Sequence, residues 1–218
     1  MTDEPPGGPV TEGVRSLEVR WIFPGQLEAA VAEWLGRFPA ESQSREDTYL
    51  VDPQLRGLSV KVRGDVALEV KVYRGSPGIL DLAGRARGRM ESWQKWSFPV
   101  NPPGQNSDDL AGWRPVRKRR RICRFSLASG PVASQATGLD QQPRCAVELT
   151  EVFTSGQDWW TLGFEATGPE DVLTYVLQAT AARVFAQAMP GMEPGPDASR
   201  SYMEWLRRWP GTERYVGA

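Results

Sequence analysis

Acidic and basic side chains recur at every second position along several segments of this chain. Ser16, Glu18 and Arg20 alternate with Leu17, Val19 and Trp21. Ser59, Lys61 and Arg63 alternate with Val60 and Val62; after a break at Gly64-Asp65, Ala67, Glu69 and Lys71 alternate with Leu68, Val70 and Val72. Glu91, Trp93 and Lys95 share one face of a later run, Glu148 stands opposite Val147 and Leu149, and Glu165 opposite Leu162 and Phe164. Successive side chains of a strand point to opposite faces, so each such strand has one charged face and one apolar face. Lys and Arg grip phosphate-type oxygens through charge-assisted hydrogen bonds, and clustered Glu can hold hard divalent ions. An antiparallel sheet with one solvated face would carry the same charges without any chemistry. What speaks for a site is consistency: strand after strand places Glu with Lys or Arg on one face, rather than Thr, Ser or Gln.

The composition narrows that chemistry. The 218 residues include no His, which excludes His-based triads, His acid–base catalysis and His zinc sites. Any metal must be held by carboxylates, which points to Mg2+ or Mn2+. A net charge of −1 gives no global attraction to nucleic acid or membrane. The run from Arg114 to Arg124 holds seven bases and no acid. It keeps open an RNA- or protein-interaction module, with Lys118 and Arg120 assigned to the charged face. Nine Trp supply a core, and some could stack on a base. Asp47 and Glu151 could join a metal cluster or lie in solvent at a strand end. Cys123 and Cys145 lie far apart and read as buried thiols of a reducing compartment. The acidic, Pro/Gly-rich N-terminus is not a signal peptide, and no apolar run reaches the ~18 residues of a span, so a cytoplasmic location is expected.

The elements that must position these residues follow from periodicity and breakers. A Pro/Gly-rich tail is expected over 1–13, then one α+β domain over 14–218 with no internal repeat. Strands are expected over 14–23, 45–51, 58–73, within 85–100, and over 113–127, 145–153 and 159–167. The last pair is joined at Gly156-Gln157, and Pro115 suggests a bent or edge entry to its strand. Loops are expected over 75–84, 101–112 and 129–143. Helical spacing covers 26–38 and 168–188, and a last short helix covers 201–209. Closing such strands into a barrel would gather the charged faces around one cavity.

Several of these pieces resemble one family. Glu18-Val-Arg-Trp-Ile22 resembles an opening Glu-x-Glu-x-Lys strand; Ser59-Val-Lys-Val-Arg63 resembles a Leu-Arg-Ile-Arg strand; Leu68-Glu-Val-Lys71 resembles the strand after it. Lys118-Arg-Arg120 resembles a Lys-x-Arg strand, Leu162-Gly-Phe-Glu165 a late Glu-x-Glu strand, and Ser201-Tyr-Met-Glu-Trp-Leu206 a Ser-Tyr-x-x-Leu-Leu ending. In this order, over 14–206, they resemble the CYTH superfamily of triphosphate tunnel metalloenzymes. The resemblance implies an antiparallel eight-stranded, closed or nearly closed barrel with helices packed outside and a charged tunnel inside. It implies Glu18, Glu69, Glu148 and Glu165 as ligands of Mg2+ or Mn2+, with Glu18 and Glu165 catalytic. It also implies Arg20, Lys61, Arg63, Lys71, Lys95, Lys118 and Arg120 as the phosphate-binding set. The chain departs from the pattern at Arg20, Ile22 and Gly163, where the family has Glu, Lys and Glu. The basic half is thus better kept than the metal half. That favours binding a small polyanion, such as tripolyphosphate or a nucleotide, with weak or absent hydrolysis over a metal-dependent triphosphatase.

Overall fold

Each strand with one apolar and one charged face must put the first against protein and the second against water or counter-charges, and a closed wall does both. The computed structural model describes residues 13–99, 112–126, 130–131 and 142–208. The expected tail before Gly13, most of the loops expected over 101–112 and 129–143, and Trp209 lie outside the described residues.

The strands are β1 (Val14–Pro24), β2 (Glu41–Leu50), β3 (Leu58–Arg63), β4 (Ala67–Leu82), β5 (Ala86–Pro99), β6 (Trp113–Ser126), the two-residue β7 (Gly130–Pro131), β8 (Arg144–Thr154) and β9 (Gln157–Thr167). They pair in the order β2-β3-β4-β5-β1-β9-β8-β6, and β6 pairs back onto β2 from Glu41↔Ile122 to Leu50↔Trp113. The result is a closed, eight-stranded antiparallel barrel, with β7 as an appendage of β6.

Four expectations shift in detail. The segment 75–84 is not a loop: β4 runs on to Leu82, and Gly75 (φ 123°) and Gly78 (φ 136°) absorb two register shifts. A bulge of this kind keeps a strand in its ladder through a Gly-Ser-Pro-Gly sequence. Pro115 does not mark an edge. It faces Thr48 of β2 and lies before the β8 ladder begins at Arg117↔Phe153, where its missing N–H costs little. The β8–β9 turn is Ser155-Gly156, both at positive φ, rather than Gly156-Gln157. And β2 begins at Glu41, four residues before the expected Arg45.

The hydrophobic core lies outside the barrel wall. The outward residues Leu17, Val19 and Trp21 of β1, Val147 and Leu149 of β8, and Leu162 and Phe164 of β9 are buried under two helices. These are α1 (Ala29–Gly36) and α2 (Leu173–Val184), the latter preceded by a 310 turn over Glu170–Val172. Burying each large apolar side chain contributes about 1.5–3 kcal/mol, so this seam stabilises the wall while its inside stays polar. Trp21 packs edge-on to Phe164 and Phe185. Gly88 makes room for it, since a Cβ there would lie 2.7 Å from the indole.

A third helix, α3 (Tyr202–Arg208), packs at one rim of the barrel. Ser201 caps it by accepting the Glu204 backbone N–H at 3.2 Å. Met203, Trp205 and Leu206 are buried against Ile22, Tyr49, Val51, Val116 and Val152, which come from four different parts of the wall. No helix among the described residues is long and apolar enough to cross a membrane.

Candidate functional site

The inward faces enclose one cavity of about 560 Å3, to which all eight wall strands contribute. Glu18, Arg20, Lys61, Arg63, Glu69, Lys71, Lys95, Lys118, Arg120, Glu148 and Glu165 all line it. Eleven basic and six acidic side chains face this space, an excess of five positive charges in a chain whose net charge is −1. Alternation sorts the basic run of β6: Lys118, Arg120 and Arg124 line the cavity, while Arg117, Arg119 and Arg121 are exposed.

The charges fall into distinct groups. At the first, Asp47 is fully buried. Lys118 Nζ lies 2.7 Å and Lys61 Nζ 3.2 Å from its Oδ2, and Arg45 Nε 3.0 Å from its Oδ1. Burial alone would raise the Asp47 carboxyl, but Lys118, Lys61 and Arg45 outweigh it and hold Asp47 well below the usual carboxylate range. Three cations around one acid leave positive charge over. Burial, with Lys61 nearby, pushes Lys118 well below the ordinary lysine range despite Asp47, and burial lowers Lys61 as well. Lys118 also hydrogen-bonds the Tyr49 hydroxyl at 2.7 Å and lies 4.2 Å from the centre of the Tyr202 ring. Glu69 joins this group through Lys61 and Arg63, each at 2.9 Å. Against the opposing effect of burial, those two cations bring it down to about 2.

In the second group, Lys71 Nζ bridges Glu18 at 2.6 Å and Glu165 at 3.6 Å. The ammonium brings Glu165 down to about 2, and the two carboxylates raise Lys71 against the cost of its burial. Glu18 is in register with Glu91 of β5 on one side and Glu165 of β9 on the other, so three carboxylates stand abreast. Glu91 turns to Arg89, whose Nη2 lies 2.6 Å away, and burial raises its carboxyl.

In the third group, Glu148 is held by Arg120, by Arg20 at 3.8 Å and by the Thr150 hydroxyl at 2.7 Å. These partners overcome burial and keep its carboxyl well below the ordinary range. Arg20 faces Gly163 across the β1–β9 ladder, donates to Thr161 Oγ1 at 3.0 Å and stacks on Tyr202 at 4.7 Å. Tyr202 therefore reaches from the α3 rim into the lumen and touches side chains of β1, β2, β6 and β9.

Lys95 stands apart. It sits directly opposite Lys71 across the β4–β5 ladder and makes no hydrogen bond or ion pair among the described residues. Like charges facing each other on one sheet face repel. Arg120 Nε is buried with no hydrogen-bond partner, and Arg45 Nε, though close to Asp47, lacks hydrogen-bonding geometry.

A divalent ion needs several oxygens converging on one point at about 2.0–2.6 Å. Glu18, Glu69, Glu148 and Glu165 do not converge in this way. They are divided among three ion-paired groups, and among the described residues no three acids are grouped to hold a metal. The acid set as arranged does not fit such an ion.

Arg45, Tyr49, Arg89, Arg124 and Tyr202 line the cavity without having stood out in the sequence, and Asp47, open between two readings there, is the buried centre of a charge cluster. The alternation of Arg45, Asp47 and Tyr49 was the available signal. The intervening Ser44, Glu46 and Thr48 are polar too, so no apolar face marked the strand. Tyr202 arrives through tertiary packing of α3, which no local pattern reveals.

No family model and no curated protein matches the chain. Among solved structures, it is similar to the PH1012 protein from Pyrococcus horikoshii OT3, at 17% identity and a TM-score of 0.44 over 86% of this chain and 98% of that one. It is also similar to the PH1819 protein from the same organism, at 13% identity and a TM-score of 0.43 over 87% and 97% of the two chains. A third similar structure is the S. pombe Pct1 RNA triphosphatase, at 11% identity and a TM-score of 0.38 over 82% and 81%.

Proposed function

We propose that the barrel binds a small polyphosphate-type anion in its lumen, such as tripolyphosphate, a nucleotide or another phosphorylated compound, with weak or absent hydrolysis. The observation that carries this reading is the Lys71–Lys95 pair. Two lysines in register on one face, with Lys95 unpartnered, form an arrangement that an anion between them stabilises. The excess of five positive charges lining the cavity and the buried, unbonded Arg120 Nε support it. In this reading Lys61, Arg63, Lys71, Lys95, Lys118 and Arg120 hold the phosphates, with Arg20 among them. The buried free thiols Cys123 and Cys145 suit a reducing compartment such as the cytoplasm.

One observation favours a second reading, a Mg2+- or Mn2+-dependent triphosphatase. Glu91, Glu18 and Glu165 stand abreast on β5, β1 and β9. That reading requires Lys71 to release Glu18 and Glu165 to the metal.

Calorimetric titration of the full chain with tripolyphosphate, beside sulfate at equal ionic strength, tests the first reading. One-to-one saturable binding of tripolyphosphate and none of sulfate is expected. The absence of saturable tripolyphosphate binding sinks it. Phosphate release that needs Mn2+ and is lost in Glu165→Gln would establish the second.

A further inference from the structure

We propose that the tunnel takes up its polyanion without a divalent metal, and that Arg20 supplies from the protein itself the positive charge at the β1–β9 wall. This rests on the polyanion-binding reading above. The geometry points to it in three ways. The Arg20 guanidinium lies over Gly163: a Cβ at that position would meet Arg20 Cζ at 2.8 Å and Nη1 and Nη2 at 2.9 Å. A fixed cation thus fills the space that any side chain at 163 would take. Second, Arg20 is built in. Its side chain is only 13% exposed, its ring contact is Tyr202, and its Nη1 makes both polar contacts, to Thr161 and Glu148. A guanidinium has five N–H donors in a planar fork, so Nε and Nη2 remain to meet a ligand oxygen in the cavity. Third, the acids that could recruit a metal are already neutralised. Glu18 holds Lys71, Glu148 holds Arg20 and Arg120, and Glu69 holds Lys61 and Arg63. A metal would have to break those pairs, and a phosphate anion would not.

Mg2+ then opposes binding. It chelates tripolyphosphate in solution and reduces the negative charge offered to a lumen lined by eleven bases and six acids.

The test is calorimetric titration of the full chain with tripolyphosphate in EDTA and again with Mg2+ in excess over ligand, together with an electron paramagnetic resonance titration of the ligand-free chain with Mn2+. Saturable binding is expected in EDTA, several-fold weaker in Mg2+, with no stoichiometric Mn2+ site. Arg20→Gln is expected to weaken binding in EDTA by tenfold or more. Arg20→Lys, which keeps the charge without the fork, should fall between. Binding that appears only with Mg2+, or one tightly held Mn2+ per chain, overturns the inference while leaving the polyanion reading intact. No binding in either buffer overturns the polyanion reading and this inference with it. The comparison of buffers is made on the unaltered chain, so it decides even if the Arg20 variants do not fold.

Discussion

Arg20 and Gly163 form one structural unit contributed by two strands. They face each other in the β1–β9 ladder, and the guanidinium occupies the space beside the Gly163 Cα. In sequence the two positions look like separate losses of acid; in the barrel the arginine depends on the glycine. Gly163→Ala should therefore displace the guanidinium from Thr161 and Glu148 and lower stability by about 1–3 kcal/mol, the usual cost of overpacking. In Arg20→Gln, whose shorter side chain leaves the space open, the same alanine should cost much less. Chemical denaturation of both single variants and the double variant measures this coupling. Additive losses would mean that the two residues are independent.

Asp47 holds Arg45, Lys61 and Lys118 together from a fully buried position. Asp47→Asn leaves three cations around a neutral amide. Breaking a buried ion pair by removing one partner costs about 3–5 kcal/mol, and unfolding by urea should show a loss of that size. Lys118→Met in the same chain should recover part of it, because it removes the most deeply buried of the three charges. A double variant less stable than Asp47→Asn would contradict this account.

The sequence made the barrel legible where strands alternate cleanly. Leu17, Val19 and Trp21 against Glu18 and Arg20, or Val60 and Val62 against Lys61 and Arg63, give each wall strand an inside and an outside. It failed where alternation has no apolar partner face, as in β2, or where basic residues occupy both faces, as in β6, so Arg45 and Arg124 passed unnoticed. The continuation of β4 past Gly75 was hidden because glycine and proline mark a loop and a bulge alike. Which acid meets which base depends on the barrel's register and curvature. The sequence could therefore name Glu18, Glu69, Glu148 and Glu165 together, and it could not show that each faces a cation.

Glu69 and Glu165 give the fold an acid limit. Each titrates at about 2 in the folded chain against 4.5 for an unperturbed glutamate. A carboxylate whose folded value is depressed stabilises the fold fully above the unfolded value, and that contribution is lost as pH falls toward the folded one. The urea midpoint should therefore decline progressively from about pH 4.5 to about pH 2. Asp47 and Glu148 shift the same way and extend the decline. Glu91, raised by burial, opposes it. Glu69→Gln should lower the neutral plateau, because Lys61 and Arg63 lose their partner, and should make the decline shallower. A slope unchanged in the variant would mean that Glu69 does not contribute to it.

Lys95 separates binding from folding better than any other residue in the lumen. Its partner across the ladder is Lys71, which is committed to Glu18 and Glu165, while Lys95 makes no contact of its own among the described residues. Removing it deletes a like-charge pair and breaks no ion pair. Lys95→Ala should thus leave stability unchanged or raise it by a few tenths of a kcal/mol, within the range of cross-strand pair effects. The same change should weaken tripolyphosphate binding by about tenfold, the order expected for one charge-assisted phosphate contact. Lys71→Ala should differ on both counts, since Glu18 and Glu165 would then face each other in register without a cation between them. Thermal unfolding and calorimetry on the two variants measure the contrast. If Lys95→Ala destabilised the fold and left binding intact, Lys95 would be a structural residue and the anion would have to lie elsewhere in the cavity.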